Sequence, residues 1–108
     1  LADLARSYAI NGQFEQAIAA TRRILFVDKF RESVQRRLLV LLVSNGQRVE
    51  AIRHFARWQI ELKRELAIGP LPQTLALAKA ISSGIEREFS ETWIKQQLAV
   101  EFGADRVA

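Results

Sequence analysis

Apolar side chains recur at every third or fourth position through most of the chain, the spacing that places them on one face of an α-helix. The longest apolar run, Leu38 to Val43, marks a buried helix face and is too short to span a bilayer. Phe55 and Trp58 lie one turn apart on an apolar face and are predicted core residues. The pattern predicts an all-α fold of about six helices, over residues 1–11, 14–27, 31–44, 48–66 and 72–83, with one or two more in the remainder.

Polar turns with specific end signals separate these segments. Asn-Gly pairs at 11–12 and 45–46 end two helices, because glycine adopts the left-handed backbone conformation without a steric clash. Asp28 is a predicted N-cap for the third helix, and Pro72 suits the first turn of the fifth. Ser83-Gly84-Ile85-Glu86 is a predicted capping box that opens a further helix, and Gly103 is predicted to end the last one.

The two Asn-Gly turns belong to an internal repeat. Asn11-Gly12-Gln13 and Asn45-Gly46-Gln47 lie 34 positions apart, and Ala17-Ile18 recurs in the same register as Ala51-Ile52. This is the period of the tetratricopeptide repeat, a helical hairpin that buries its apolar face by stacking on its neighbours. We predict tetratricopeptide-like hairpins in a right-handed α-α superhelix, with an ordinary helical bundle as the alternative. The predicted repeat domain is 1–81, with copies at about 1–31 and 32–66 and an extra helix at 72–83, and 84–108 is a helical extension of the same domain.

The second copy and the segment after it carry a family likeness. The stretch from Gly46 to Thr74 resembles the bacterial transcriptional activator domain, the tetratricopeptide-like module of antibiotic-regulatory (SARP-type) transcription factors. The motifs that carry the resemblance are Glu65-Leu66, Pro70-Leu71-Pro72-Gln73-Thr74, and Leu25-x-Val27-Asp28 followed by Arg31-Glu32. The resemblance covers about residues 1–81, while Ala67 stands where the family has glycine and Leu71 where it has a small capping residue.

The resemblance implies a regulatory or protein-interaction module of a cytoplasmic bacterial transcriptional regulator. In that family a winged-helix domain before the module binds DNA, and nothing in this sequence is similar to it. We therefore expect DNA to be contacted only through a domain that this sequence lacks. The expected partner of the module itself is a protein or an attached domain, with no membrane contact.

Residues suited to catalysis or metal binding are scarce. His54 is the only histidine and cysteine is absent, which excludes disulfides, thiolate metal sites and two-histidine metal sites. Ser82-Ser83-Gly84 lacks the strand-to-helix context of a nucleophile, and no glycine-rich phosphate loop occurs. We predict no enzymatic activity, no cofactor and no small-molecule substrate, and we expect His54 to be an exposed surface group.

Basic residues outnumber acidic ones, 16 to 12, for a net charge of +4. Arg53, Arg57 and Arg64 share one predicted helix face, but Glu50 and Glu61 interrupt the stripe. Mixed charge of this kind is typical of a solvated helix surface. Nucleic-acid binding through the basic face is a less favoured alternative.

The first helix of each copy is predicted to line the concave side of the stack. Apolar patches rimmed by arginine suit an acidic, partly apolar peptide or an intramolecular helix. Arg36 is the predicted exposed donor for a partner carboxylate. Two alternatives remain at this point: residues 84–108 pack on this face and complete the core, or the chain is a stand-alone peptide-binding adaptor. The predicted partner-facing positions are Arg6, Ala9, Ile10, Arg36, Val40 and Val43.

Overall fold

Six α-helices follow one another along the residues that the structure, a computed structural model, describes: 1–84 and 89–103. No strand occurs within these ranges. The predicted all-α fold of about six helices is confirmed, and the predicted bounds of the first five helices lie within one residue of those observed. The helices are α1 (Ala2–Ile10), α2 (Phe14–Val27), α3 (Glu32–Ser44), α4 (Arg48–Leu66), α5 (Pro72–Ser83) and α6 (Glu91–Phe102).

The two Asn-Gly turns close their helices in the same way. Gly12 and Gly46 both have φ of 74°, a left-handed conformation that strains any residue with a Cβ. The Gln13 amide donates to the Tyr8 carbonyl at 2.8 Å, and the Gln47 amide donates to the Leu42 carbonyl at 2.7 Å. These are the six-residue bonds of a Schellman motif, repeated 34 residues apart. The sequence repeat is therefore also a repeat of backbone structure.

The α3 helix is the centre of the fold. It packs against α2, α4, α5 and α6, and every residue from Leu38 to Val43 is buried. A helix that is apolar on all sides is stable only when it is surrounded. The apolar run in the sequence thus covers the whole circumference of a core helix, not one face alone.

The α2–α3 connection differs from the sequence prediction. Asp28 is the residue that ends α2, and its amide donates to the Ile24 carbonyl at 3.0 Å. Helix α3 begins after Arg31, and no side chain caps its first turn. The prediction of Asp28 as the N-cap of α3 is wrong, because a turn that includes Lys29 and Phe30 separates Asp28 from the helix.

The end of α4 and the beginning of α6 have identifiable capping features. Ala67 ends α4 in the left-handed conformation with φ of 57°, at the position where the family pattern has glycine. Ser90 precedes α6, and its Oγ accepts a hydrogen bond from the Trp93 amide at 3.2 Å. The predicted capping box at 83–86 falls partly outside the described residues. The predicted end of the last helix at Gly103 is confirmed.

A polar network underlies the α2–α3 turn. Trp58 is buried, as predicted, and its Nε1 donates to the Lys29 carbonyl at 2.9 Å. The Gln35 amide nitrogen donates to the same carbonyl at 2.7 Å, and its Oε1 lies 2.6 Å from Nε2 of His54. Because Gln35 uses its nitrogen on Lys29, its oxygen is the acceptor, which places the histidine proton on Nε2.

The same network changes the interpretation of the histidine. His54 is half-buried, so the expectation of an exposed surface group is wrong. Burial, together with the nearby charges of Arg22 and Arg57, lowers the pKa of His54 to about 4. His54 is therefore neutral at pH 7, and its hydrogen bond with Gln35 links α4 to α3.

Candidate interaction groove

One helix occupies the side of the stack that the first helices of the two repeats form. We call the surface formed by α1 and α3 on this side the first-helix groove. Helix α6 makes its main contacts with α3 and further contacts with α1. Phe102 at its end is 3% exposed and belongs to the apolar core, against which Trp93 and Leu98 also pack. The groove predicted for a partner is thus filled by the chain's own α6.

The position of α6 determines which of the six predicted groove residues are exposed. Ala9, Val40 and Val43 are buried, so the expectation that they face outward is wrong. Ile10 is partly buried and packs against the core. The physical reason is that α3 is enclosed by four helices, so that its side away from its hairpin partner is covered as well. The remaining two residues, Arg6 and Arg36, contact α6 directly.

Two arginines hold the carboxyl end of α6. Nε of Arg37 donates to the Glu101 carbonyl at 2.8 Å, and Nε of Arg6 donates to the Phe102 carbonyl at 3.0 Å. These carbonyls belong to the last turn, where a helix has acceptors without intrahelical partners and a partial negative charge. The arginines therefore satisfy the open end of α6 and neutralise its dipole.

A third arginine binds an α6 side chain. Nε of Arg36 donates to Oε1 of Glu101 at 3.1 Å, and the two side chains are only 11% and 10% exposed. Nη1 of Arg36 also donates to Oγ1 of Thr74, a fully buried residue of α5, at 2.9 Å. The expectation that Arg36 is exposed is wrong, because the guanidinium joins α3, α5 and α6 beneath the surface.

Aromatic rings complete the contact at both ends of α6. The guanidinium carbon of Arg37 lies 5.2 Å from the ring centroid of Phe102, in cation–π contact. Before the helix, Phe89 packs edge-on against Trp93 with centroids 4.8 Å apart. Arg48 lies 5.8 Å from the Phe89 centroid, and its Nε donates to the Ile81 carbonyl at 2.7 Å. Arginine–aromatic pairs thus hold the α6 segment at its beginning and at its end.

The contact between α5 and α6 is looser. A cleft of about 500 Å³ separates them, with the Arg36–Glu101 pair in its lining and with Leu77, Trp93 and Val100 among its walls. The cleft shows that α6 is seated on α3 more closely than on α5. Within the described residues no cluster of His, Asp or Glu side chains could hold a metal ion.

The contacts of the groove with α6 are of two chemical kinds. Arginine donors fit helix-terminal carbonyls and one carboxylate, and an apolar pocket fits an aromatic ring. Sequence reasoning named Arg6 and Arg36 but missed Thr74, Glu101 and Phe102. The signal for the last two was the Glu-Phe-Gly phrase at the end of a predicted helix, an acidic and an aromatic residue next to a helix stop.

Arg22, Lys29 and Arg57 pair with carboxylates on the α2–α4 side of the domain. Nη2 of Arg57 lies 3.2 Å from Oε1 of Glu50, and Nη2 of Arg22 lies 3.9 Å from the same atom. Nζ of Lys29 lies 3.2 Å from Oε2 of Glu61 and 2.8 Å from Oε2 of Glu65. Interspersed carboxylates of this kind reduce the positive potential that a phosphate backbone requires.

Comparison with known proteins identifies the repeat module. The bacterial transcriptional activator domain matches the chain over residues 1–82. The chain belongs to this family. The resemblance inferred from the Glu-Leu and Pro-x-Pro motifs is confirmed, and with it the tetratricopeptide-like fold and a regulatory role in transcription. No curated protein and no solved structure matches the chain significantly.

The matched region contains α1 to α4 and all but the last residue of α5. Helix α6 lies outside it. The helix that occupies the first-helix groove is therefore not part of the matched family module. None of the described helices is long and apolar enough to cross a membrane.

Proposed function

We propose that this transcriptional activator domain is a protein-interaction module that works by non-covalent exchange of helices in the first-helix groove. In this proposal α6 is the resident occupant, and a partner helix of similar chemistry replaces it. The partner is a protein or an attached domain of the same regulator. No chemical step is involved.

The observation that carries the proposal is the way α6 is held. Its polar anchors lie at the carboxyl end: Glu101 on Arg36, two terminal carbonyls on Arg37 and Arg6, and next to them Phe102 in the core. A helix-in-groove contact with a few anchor residues is a recurrent mode of peptide recognition. Any helix that presents a carboxylate and an aromatic ring at its carboxyl end satisfies the same groups.

Displacement of α6 would couple binding to the rest of a regulator. Because α6 follows α5 in the chain and packs on α3, release of α6 frees the carboxyl-terminal segment from the repeat core. A ligand shifts such an equilibrium by its differential affinity for the open and closed states. The module then converts partner binding into a rearrangement of its carboxyl-terminal segment.

A peptide-exchange experiment tests this function. The probe is a fluorescent synthetic peptide of residues 89–103, which is α6 with its preceding turn, titrated with the full chain and with its Glu101→Gln variant. Glu101→Gln weakens the resident helix and leaves the groove intact. If the variant loses about 2 kcal/mol of helix docking, it should bind the peptide about 10–30-fold more tightly than the parent.

Two matched variants serve as controls. Glu91→Gln makes the same chemical change on the exposed side of α6 and should leave peptide binding at the parent level. Arg36→Ala added to Glu101→Gln should abolish the gain, because the peptide's own glutamate loses its partner. The proposal fails if the Glu101→Gln chain binds no better than the parent, or if removal of Arg36 leaves the gain unchanged.

A further inference from the structure

A second groove lies on the opposite side of α5 from α6, between α4 and α5. It has a volume of about 250 Å³. Leu39 and Ile81 form part of its floor, while Ile52 and Ala56 of α4 and Leu75 and Ala78 of α5 form its walls. No α6 residue is among those that line it. The two grooves are therefore separate surfaces of the same domain.

The walls of this groove are apolar, although α5 is the last described helix that packs on the second copy of the repeat from this side. Leu75 is 42% exposed, and Ala56 is also exposed. Terminal helices of repeat proteins keep a polar outer face, because they have no further neighbour to cover them. Helix α5 instead exposes Leu75 beside Ala56 of α4, which indicates a surface that another helix covers.

Among the described residues, the one charged side chain that lines the groove is basic. Lys79 lines it, and α5 contains no acidic residue. On α4, Lys63 follows Gln59 by four residues and therefore shares its helix face, one turn beyond the groove.

The acidic residues of α4 pair with cations outside the groove. Glu50 pairs with Arg22 and Arg57, while Glu61 and Glu65 pair with Lys29. An apolar slot with lysines as its nearby charges is complementary to an acidic, amphipathic surface.

We propose that the α4/α5 groove binds an amphipathic α-helix of a partner protein, one whose apolar stripe is flanked by carboxylates. The stripe fills the space between Ala56 and Ala78, and the carboxylates pair with Lys79 and Lys63. The volume of the groove lies below the roughly 300–1,000 Å³ typical of small-molecule pockets, which suits a few side chains of a helix. This surface is independent of helix exchange in the first-helix groove, since neither Arg36 nor Glu101 contributes to it.

Two designed peptides test the proposal on the full chain. Both form amphipathic helices with the same leucine stripe, and one carries glutamate at the flanking positions where the other carries lysine. We expect the glutamate peptide to bind at least tenfold more tightly than the lysine peptide. Amide chemical shifts of Ala56, Leu75 and Ala78 should change on binding, while those of Arg36 and Glu101 should not.

Three variants locate the contact. Lys79→Glu should weaken the glutamate peptide about three- to tenfold and strengthen the lysine peptide. Ala56→Glu places a charge in the slot and should weaken the glutamate peptide more than tenfold. Both residues are exposed, so the far-ultraviolet circular dichroism should match that of the parent. Arg23→Glu makes a like change on the exposed side of α2 and should have no effect beyond that of net charge.

Three results would overturn the proposal. Equal affinity of the two peptides would show that charge does not contribute to binding in this groove. Chemical-shift changes centred on α6 would show that the peptide binds in the first-helix groove instead. Sedimentation that shows a dimer through this groove would make a second copy of the chain its occupant. Failure of the α6 peptide experiment, with the designed peptide still bound here, would refute only the helix-exchange function.

Discussion

The buried ion pair between Arg36 and Glu101 gives the sharpest mutational prediction. Glu101→Gln keeps the size of the side chain and one oxygen acceptor but removes the negative charge. Arg36 then remains charged at 11% side-chain exposure, with Thr74 as its other bonded partner. The perturbation thus isolates the charge from the shape of the contact.

The magnitude follows from the burial of the pair. Removing one partner of a buried pair costs about 3–5 kcal/mol, whereas a hydrogen bond to a charged group contributes about 1.5–3 kcal/mol. Because glutamine retains a hydrogen bond to Arg36, we expect a loss near the lower values, about 2 kcal/mol in the free energy of unfolding. For a domain of this size that corresponds to a fall in the thermal midpoint of about 8–16 °C.

Urea unfolding followed by tryptophan fluorescence and far-ultraviolet circular dichroism measures this loss. The control is Glu91→Gln on the same helix, where Glu91 lies 3.5 Å from Lys95 and both side chains are more than 70% exposed. Exposed pairs contribute at most about 1 kcal/mol. Arg36→Met should lower the free energy of unfolding by less in the Glu101→Gln background than in the parent chain, because the two side chains interact. Equal losses for Glu101→Gln and Glu91→Gln would show that the ion pair does not hold α6.

Trp58→Ala should cost about 3–5 kcal/mol in the free energy of unfolding, since it empties a buried site and removes a hydrogen bond; a loss under about 1 kcal/mol in chemical denaturation would contradict its place in the core. Ala67→Gly should raise stability by about 0.5–1 kcal/mol by relieving the left-handed strain, whereas Ala19→Gly, on the exposed face of α2, should lower it by about 1 kcal/mol. Stability should also fall as pH decreases from about 6.5 to 4, because His54 takes up a proton in the unfolded chain more readily than in the folded one. Partial exposure screens this effect to about 1–2 kcal/mol, and His54→Gln should remove it from a denaturation series over that pH range.

Local signals made most of the fold predictable. The Asn-Gly turns, Pro72 and the 3.6-residue apolar period each act over a few residues, so the bounds of five helices followed from the sequence alone. The repeat then fixed which helices form hairpins, because its period matches one known unit. The burial of Trp58 followed in the same way, from its spacing to Phe55 on one helix face.

The candidate site depends on contacts far apart in the sequence. Arg36 and Glu101 are 65 residues apart, and no local pattern indicates that α6 turns back onto α3. The sequence prediction of exposed positions on α3 assumes that no helix packs on the side of α3 away from α4. In the structure α6 packs on that side and covers these positions. The burial of His54 could not be predicted for the same reason, because its hydrogen-bond partner Gln35 lies on another helix.

Native-state hydrogen exchange of the full chain tests the central claim, that α6 is a displaceable occupant of the first-helix groove. We predict that the amides of Trp93 to Phe102 exchange through an opening of lower free energy and weaker denaturant dependence than those of Leu38 to Val43 in α3. Such a gap means that α6 leaves while the repeat core stays folded. Equal opening free energies and equal denaturant dependence for the two helices would show that they unfold as one unit, and would contradict the account.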